Sequence, residues 1–373
     1  MSNVIKMLQN IDTNTVIVYV TVILLATFFA FIYQKKKHKK KAKGYLVLAF
    51  LPIWIMLAFS NCGTDYPAYE EFFLNSLNPE YWIAGEMERG FLLFFAIVRF
   101  FTDSFEIFHI IWATVMLLLI YKTFVYYKNF IHTGYAMFAF ASVYCIQSMN
   151  IMRIFFAAAM VFYATRYLLN KQYFKYTVAI VITSFIHISS IVMLLPLVFL
   201  MMFPSPKKYL FKTFVFVVAI FAVFAARSFI FGGNLMGYTY GLNAGGSLGV
   251  ANIIYHIPLI IFFVVANKSD VFSKEANKVF FVLMMTSFAV GFLSYYIDLI
   301  GRMYVYFESV YVLFPAYYLN SWKTDKALDK SQKMSNRFIW ATMFIVVMLV
   351  RVVLSIEYFV PDQTMPYTWI FSN

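Results

Sequence analysis

Two side chains that can carry or donate a proton, Arg153 and His187, lie beside or inside apolar runs between residues 147 and 190. An ionisable residue at membrane depth is costly to place there, so such a residue is by default a candidate for function. The same residues allow a structural interpretation: the Arg153 side chain could extend to the headgroups, and His187 could be a hydrogen-bonded core histidine. The sequence therefore singles out both residues without deciding between these roles.

The composition of the chain identifies the class of protein. Of the 373 residues, 62% are hydrophobic and 13% are charged, and the mean hydropathy is +0.75. Apolar runs long enough to cross a bilayer recur along the whole length, which predicts an all-α, polytopic integral membrane protein forming a single transmembrane domain over residues 1–373. The two cysteines, without CxxC spacing, indicate neither a metal site nor a disulfide framework.

Lysine-bearing segments between the apolar runs predict the topology. Of the 22 lysines, 21 lie in the segments 34–43, 122–128, 166–175, 207–212, 267–278 and 323–337. Positive segments stay in the cytoplasm, so their alternation with apolar pairs predicts about 12 crossings with both termini on the outer side. The net charge of +13 therefore reports topology rather than binding of nucleic acid. The block 34–43 needs only this orienting role, although a clamp for lipid headgroups is an alternative.

Two segments are predicted to form outer loops. Residues 61–103 carry seven carboxylates, and within them the run 90–101 is apolar but too short to span. We expect that run to be a helix lying in, or dipping into, the outer interface, followed by a true span over 102–121. The glycine-rich residues 232–250 form the second predicted loop, which is long enough to act as a gate.

The arginines are distributed differently from the lysines. Six of the eight fall outside the lysine-bearing segments, in the predicted outer half of the protein: Arg89, Arg99, Arg153, Arg227, Arg302 and Arg351. A guanidinium stays ionised when partly desolvated and binds phosphate oxygens through two parallel hydrogen bonds. This predicts a site for an anionic, diphosphate-bearing headgroup. The alternative is that the arginines pair internally, Arg153 with Asp65 or Arg302 with Asp298, and only orient helices.

A series of short motifs resembles a known family. In chain order they are Gly63-Thr64-Asp65-Tyr66 followed by Tyr69, Glu88 with Gly90 opening an apolar helix, Asn150 with Arg153, Ile186-His187-Ile188-Ser189, and Arg302 with Tyr304 and Tyr306. Their order and spacing, over about residues 60 to 320, are similar to those of the EpsG/Wzy-type polysaccharide polymerases of bacterial envelopes. The outer loop and interfacial helix also resemble the arrangement of membrane glycosyltransferases of the GT-C class.

The resemblance implies a reaction on the outer face of the bacterial cytoplasmic membrane. A growing glycan on polyprenyl (undecaprenyl) diphosphate would be transferred to a lipid-linked repeat unit, and polyprenyl diphosphate would be released. The main catalytic requirement would be positive charge on the departing diphosphate. The implied partners are the two lipid-linked oligosaccharides and membrane lipid, with a chain-length regulator and a flippase as further candidates, and neither a cofactor nor nucleic acid is implied.

Roles follow for individual residues on this interpretation. For the diphosphate we expect Arg153 and Arg302, supported by Arg227 and Arg351. The candidate bases for the acceptor hydroxyl are Asp65, His187 and, third, Glu88. Candidate substrate contacts are Tyr66, Tyr69, Asn150, Tyr304 and Tyr306. The acidic loop lacks DxD spacing and the chain lacks a histidine cluster, which predicts a metal-independent mechanism.

Three other functions remain open from the residues. A flippase for the same lipid-linked unit would also need many crossings, but it would place polar residues near the midplane. A membrane acyltransferase would use His187 and leave the arginines without a role. An O-antigen-ligase-like glycosyltransferase shares the chemistry and is not distinguished by residues alone.

Overall fold

A computed structural model describes residues 12–39, 41–85, 87–202, 234–235, 238–239, 274–293, 302–307, 309–321, 337–349, 352 and 364–371. In chain order the helices are α1 (Thr13–Lys36), α2 (Ala42–Ala58), α3 (Tyr66–Leu74), α4 (Pro79–Ala84), α5 (Arg89–Arg99), α6 (Phe105–Tyr127), α7 (Thr133–Ala139), α8 (Cys145–Ser148), α9 (Met152–Leu169), α10 (Tyr173–Ile186), α11 (Leu194–Met202), α12 (Lys274–Leu293), α13 (Ser309–Ser321) and α14 (Arg337–Leu349). A π turn, Phe140–Tyr144, joins α7 to α8, and Ile188–Met193 and Arg302–Phe307 form 3₁₀ turns.

The described residues are almost entirely helical, as the composition predicted. The β structure in the described ranges is one antiparallel pair of two-residue strands, β1 (Asn234–Leu235) and β2 (Tyr238–Thr239), and an isolated bridge between Ser60 and Trp369. This pair lies within the predicted glycine-rich loop 232–250, the rest of which lies outside the described residues.

The apolar helices fit a membrane protein. Within the described ranges, α1, α6 and α9 are long and apolar enough to cross a bilayer, and five shorter apolar helices accompany them. The two long N-terminal spans begin at side-chain caps, because Asp12 accepts from Thr15 N (2.8 Å) and Ser104 accepts from Ile107 N (3.3 Å). The count of 12 crossings and the GT-C-like arrangement stay predictions.

One end of the helix bundle gathers lysine-bearing segments, and we call it the lysine end. Lys37 Nζ donates to the carbonyl of Lys128 (2.9 Å), which joins the end of α1 to the end of α6. Gln34 Nε2 contacts Asn320 Oδ1 (3.4 Å), which brings the end of α13 to the same place. The α1–α2 and α6–α7 turns therefore share one end of the bundle with the end of α13.

The opposite end, which we call the Glu88 end, is tied together by the C-terminal residues 364–371. Tyr367 N donates to Thr15 Oγ1 (2.7 Å) and Tyr367 Oη donates to the Met56 carbonyl (2.8 Å). Thr368 N contacts Cys62 Sγ (3.0 Å), immediately before the turn that begins at Gly63. These bonds fix the start of α1 and the end of α2 against the segment that leads to the acidic residues.

Residues 61–103, predicted as an outer loop with one interfacial helix, contain three short helices, α3 to α5. Helix α5 has 11 residues, too few to span, and it is amphipathic: Phe91 and Phe95 are fully buried, whereas Leu93 and Ile97 are about half exposed. The buried rings pack on Phe108 of α6, with centroids 6.3 Å and 4.5 Å away. An aromatic layer thus supports α5 on one side and leaves its other face exposed, and the predicted interfacial position of this helix stays a prediction.

Helix α5 approaches α10 more closely than a side chain would allow. A Cβ added to Gly90 would lie 2.4 Å from the carbonyl oxygen of Phe185. Phe185 is two residues before His187, so this contact sets the distance between the start of α5 and the end of α10.

We expect Gly90→Ala to separate these two helices and to lower the free energy of unfolding by about 1–3 kcal/mol, the usual cost of overpacking. The measurement is thermal unfolding of the purified protein in detergent. Gly44→Ala is the matched control, because nothing lies within 4 Å of a Cβ at that helical position. Equal unfolding temperatures for the two variants would contradict the close contact.

Candidate active site

The carboxylate of Glu88 lies at the centre of a charged cluster. Arg153 Nη1 donates to one of its oxygens, Oε2 (2.5 Å). The other oxygen, Oε1, contacts His187 Nδ1 and accepts from the backbone N–H of Ile188 (3.3 Å). The three side chains are 17%, 26% and 18% exposed for Glu88, Arg153 and His187. They form a partly buried triad that solvent can still reach.

The triad is assembled from three separate segments. Glu88 is the extended residue immediately before α5, Arg153 is in the first turn of α9, and His187 ends α10 in an extended conformation before the 3₁₀ turn. Glu88 is 65 residues from Arg153 and 99 residues from His187 along the chain. Only the packing of α5, α9 and α10 at the Glu88 end brings them together.

The electrostatics of the triad favour an ionised Glu88. Burial alone would raise the pKa of this carboxyl, but the hydrogen bond from His187 and the charge of Arg153 outweigh it and lower the pKa from 4.5 to about 2. Glu88 is therefore a poor proton acceptor near neutrality. The ionised carboxylate can only accept a hydrogen bond, so His187 Nδ1 donates to it, and the neutral imidazole then carries its lone pair at Nε2.

Two tyrosines form the surroundings of the triad. The Tyr69 ring lies 5.9 Å from the Arg153 guanidinium carbon, and burial raises the pKa of its hydroxyl despite the nearby positive charge. Tyr306 shares a hydrogen bond with Ser189 (3.0 Å), which attaches the 302–307 turn to the residues after His187. Both rings are nearly fully buried, at 5% and 1% exposure. In this structure they support the triad, and their predicted contact with sugar stays a prediction.

Asp65 and Asn150 lie in a neighbouring turn. Asn150 Oδ1 accepts from Thr64 Oγ1 (2.9 Å) and from the backbone N–H of Asp65 (3.2 Å). Gly63 has a positive φ of 109°, and a Cβ there would come within 2.9 Å of the Asn150 backbone. The glycine thus allows the 63–65 turn to pack directly on the residues that precede Arg153.

The remaining predicted residues are placed as follows. Tyr66 is half-buried against Phe105, with ring centroids 4.9 Å apart. Arg99 pairs with Asp103 at the end of α5, away from the triad. Arg227 and Arg351 lie outside the described residues, and the side chains of Arg302 and Tyr304 are not described, although their backbone lies in the 302–307 turn.

Sequence reasoning underrated Glu88 and did not foresee its pairing. The candidate partner of Arg153 was Asp65, whereas the structure pairs Arg153 with Glu88. Among the described residues no group of three His, Cys, Asp or Glu side chains is arranged to hold a metal ion. The sequence signal that could have identified Glu88 is its position before Gly90, at the start of the interfacial helix.

Comparison with known proteins gives one match. The model of the EpsG family matches residues 43–369, which includes all the residues described for the site. Neither the curated proteins nor the solved structures contain a match.

We expect Glu88→Gln to destabilise the protein in a pH-dependent way, because it leaves Arg153 without its counter-charge. The folded pKa of Glu88, about 2, is below the ordinary value, so its stabilising contribution is complete above about pH 5 and is lost as the pH falls toward 2. The shift corresponds to about 3 kcal/mol at neutral pH. The difference between the unfolding temperatures of wild type and variant should therefore be largest near pH 7 and should fall by about half by pH 3.

The matched control is Glu70→Gln, which removes a carboxylate of the same acidic segment outside the triad. It should lower the unfolding temperature little at any pH. A difference between wild type and Glu88→Gln that stays constant from pH 7 to pH 3 would contradict the ion pairing.

Proposed function

We propose that this membrane protein, which belongs to the EpsG family, polymerises polyprenyl-diphosphate-linked oligosaccharide repeat units. The family indicates a polysaccharide-polymerase-type role in exopolysaccharide biosynthesis. We further propose that the donor is a lipid diphosphate and that the site lies on the extracytoplasmic face of the membrane. The observation that carries it is the Glu88 triad, which joins a guanidinium and an oriented imidazole at the end of the bundle opposite the lysines.

The reaction needs one bond exchange. The hydroxyl at the non-reducing end of the acceptor unit attacks the anomeric carbon of the donor glycan. The bond from that carbon to the diphosphate oxygen breaks, and the electron pair leaves with polyprenyl diphosphate. A base must take the hydroxyl proton, and positive charge must stabilise the leaving diphosphate.

His187 is the proposed base. Glu88 holds its Nδ1, so Nε2 can accept the hydroxyl proton, and the ionised carboxylate stabilises the imidazolium that forms. The same orientation of an imidazole by a buried carboxylate operates in hydrolase triads. Glu88, with a pKa of about 2, acts through His187 rather than as a base itself.

Arg153 is the proposed diphosphate ligand of the triad. Only its Nη1 contacts Glu88, so the Nη2 hydrogens can be directed to a diphosphate oxygen. Glu88 offsets part of its charge, which means that Arg153 alone is a weaker anion site than an unpaired guanidinium. Arg302, Arg227 and Arg351 are proposed to supply the remaining positive charge, and Asp65, held beside Asn150, is the alternative base.

The orientation in the membrane is part of the proposal. Lysine-rich turns favour the cytoplasm, and contacts among residues 34–37, 128 and 320 collect them at one end of the bundle. The triad lies at the other end, where no nucleotide sugar is available. A lipid-linked donor, already energised by its diphosphate bond, is the substrate that this placement favours.

Reconstitution tests the proposed polymerase. Purified protein in liposomes, given a lipid-diphosphate-linked oligosaccharide, chelator and no nucleotide sugar, should produce a ladder of multimers on a gel. Arg153→Ala and Arg302→Ala should abolish the ladder without loss of folded protein, whereas Arg99→Ala should retain it because Arg99 pairs with Asp103 outside the triad. Loss of the ladder in Asp65→Asn would indicate that Asp65, the alternative base, takes part in the reaction. Transfer of the unit across the bilayer without a ladder would instead indicate a transporter.

A pair of His187 variants tests the proposed base. Asn at this position can keep the donor that faces Glu88 but has no group at Nε2, whereas Gln extends an amide toward the Nε2 position. We expect both variants to reduce the polymerisation rate by about 100-fold or more, the usual contribution of a general base. His187→Asn should nevertheless keep the unfolding temperature close to that of wild type.

The result for His187→Asn separates catalysis from structure. If His187 only fixes Glu88, the Asn variant should polymerise at a rate near that of wild type. That outcome would transfer the base role to Asp65.

A further inference from the structure

The lysine end contains a cavity that the proposed reaction does not use. It has a volume of about 210 Å³, and five of its lining side chains are basic: Lys37, His38, Lys39, Lys43 and Lys128. A cavity needs only about 10–15 Å³ of such volume to hold one water molecule. This one therefore has room for a polyatomic anion together with water.

The helix ends hold the basic side chains around this space. The turn after α1 supplies Lys37, His38 and Lys39, the start of α2 supplies Lys43, and the end of α6 supplies Lys128. Lys37 Nζ donates to the Lys128 carbonyl (2.9 Å), which fixes the two segments to each other. Lys36, by contrast, points to Tyr45, donating to its hydroxyl (2.9 Å), and does not line the cavity.

The positive charge of the cavity is incompletely compensated within the described part of the chain. Lys39, Lys43 and Lys128 form no salt bridge with a described carboxylate. Orientation in the membrane requires lysines in the turn but does not require them to converge on a concave surface. Like charges held around one space repel each other, and a bound anion would relieve that repulsion.

We propose that this cavity binds a phosphate group, presented by the headgroup of an anionic phospholipid. The cavity lies immediately after α1, a 24-residue apolar helix whose end must be near the headgroup level. Lysine ammonium groups near an anionic lipid surface each strengthen binding by about fivefold, and basic pockets between helices are a common way to bind such headgroups. Free phosphate shares this chemistry and is the second source to be tested.

The test titrates the purified full-length protein in neutral detergent with short-chain phosphatidylglycerol, phosphatidylcholine or inorganic phosphate. The readouts are the shift of the unfolding temperature and the lipid adducts in native mass spectrometry. Phosphatidylglycerol should raise the unfolding temperature and form a discrete one-to-one adduct, because it binds the folded state, whereas phosphatidylcholine should do neither. A comparable shift with inorganic phosphate would identify a free-phosphate site, and no response to either anion would overturn the proposal.

Two triple variants separate the cavity from general surface charge. Lys39→Gln/Lys43→Gln/Lys128→Gln removes three lining lysines and should weaken phosphatidylglycerol binding by about 10- to 100-fold. Lys35→Gln/Lys122→Gln/Lys175→Gln removes the same charge from exposed lysines outside the cavity and should retain binding. Equal loss in both variants would overturn the proposal. If the first variant is unfolded, Lys43→Gln alone, at an exposed position, should still weaken binding about fivefold.

Discussion

The Glu88 carboxylate is the interaction on which the described site depends. It is partly buried, and a buried carboxylate is stable only when its charge is matched and its oxygens are hydrogen-bonded. Arg153, His187 and the Ile188 N–H meet that requirement together. Because each comes from a different segment from Glu88, the single carboxylate couples the positions of α5, α9 and α10. Removing it would leave a partly buried guanidinium without its counter-charge and an imidazole without orientation.

Close backbone contacts and hydrogen bonds in the rest of the Glu88 end fix the segments that carry the triad. Gly90 lets α5 touch the backbone of α10, and Gly63 lets the 63–65 turn touch the backbone at Asn150. Aromatic rings of α5 pack on Phe108 of α6 and hold α5 against that helix. The C-terminal residues 364–371 then hold α1, α2 and the Cys62 turn together. Of these contacts, the one between Gly90 and Phe185 lies two residues from both Glu88 and His187, so a shift there would change the distance between these two side chains.

The sequence predicts the general class more reliably than it predicts the site. Hydropathy predicts the spans α1 and α6 because each is one continuous apolar run, and the short length of α5 predicts that it does not cross. The family resemblance rests on short motifs that follow one another in an order similar to that of the family, and the match of the family model over residues 43–369 supports it. The pairing of Arg153 is different in kind. Asp65 and Glu88 are both carboxylates in the same acidic segment, and the sequence does not show which of them reaches Arg153. The packing of α5 against α9 and α10 places Glu88 there. Similarly, the positions of Tyr69 and Tyr306 in the sequence do not show that both rings are buried near the triad.

The different physical properties of lysine and arginine explain why lysines gather at the lysine end whereas Arg153 lies at the Glu88 end. Lysine is a compact, strongly hydrated charge, so it suits exposed turns and headgroup contacts, where it remains in water. Arginine keeps its charge when partly desolvated and can divide its donors between two partners, as Arg153 can between Glu88 and an incoming anion. On the proposed function, arginine therefore suits a position that meets a lipid diphosphate beside a partly buried carboxylate better than lysine does. By the same argument Arg153→Lys is not a conservative change on the proposed function, because a single ammonium cannot keep its contact with Glu88 and also reach the proposed diphosphate with the same geometry.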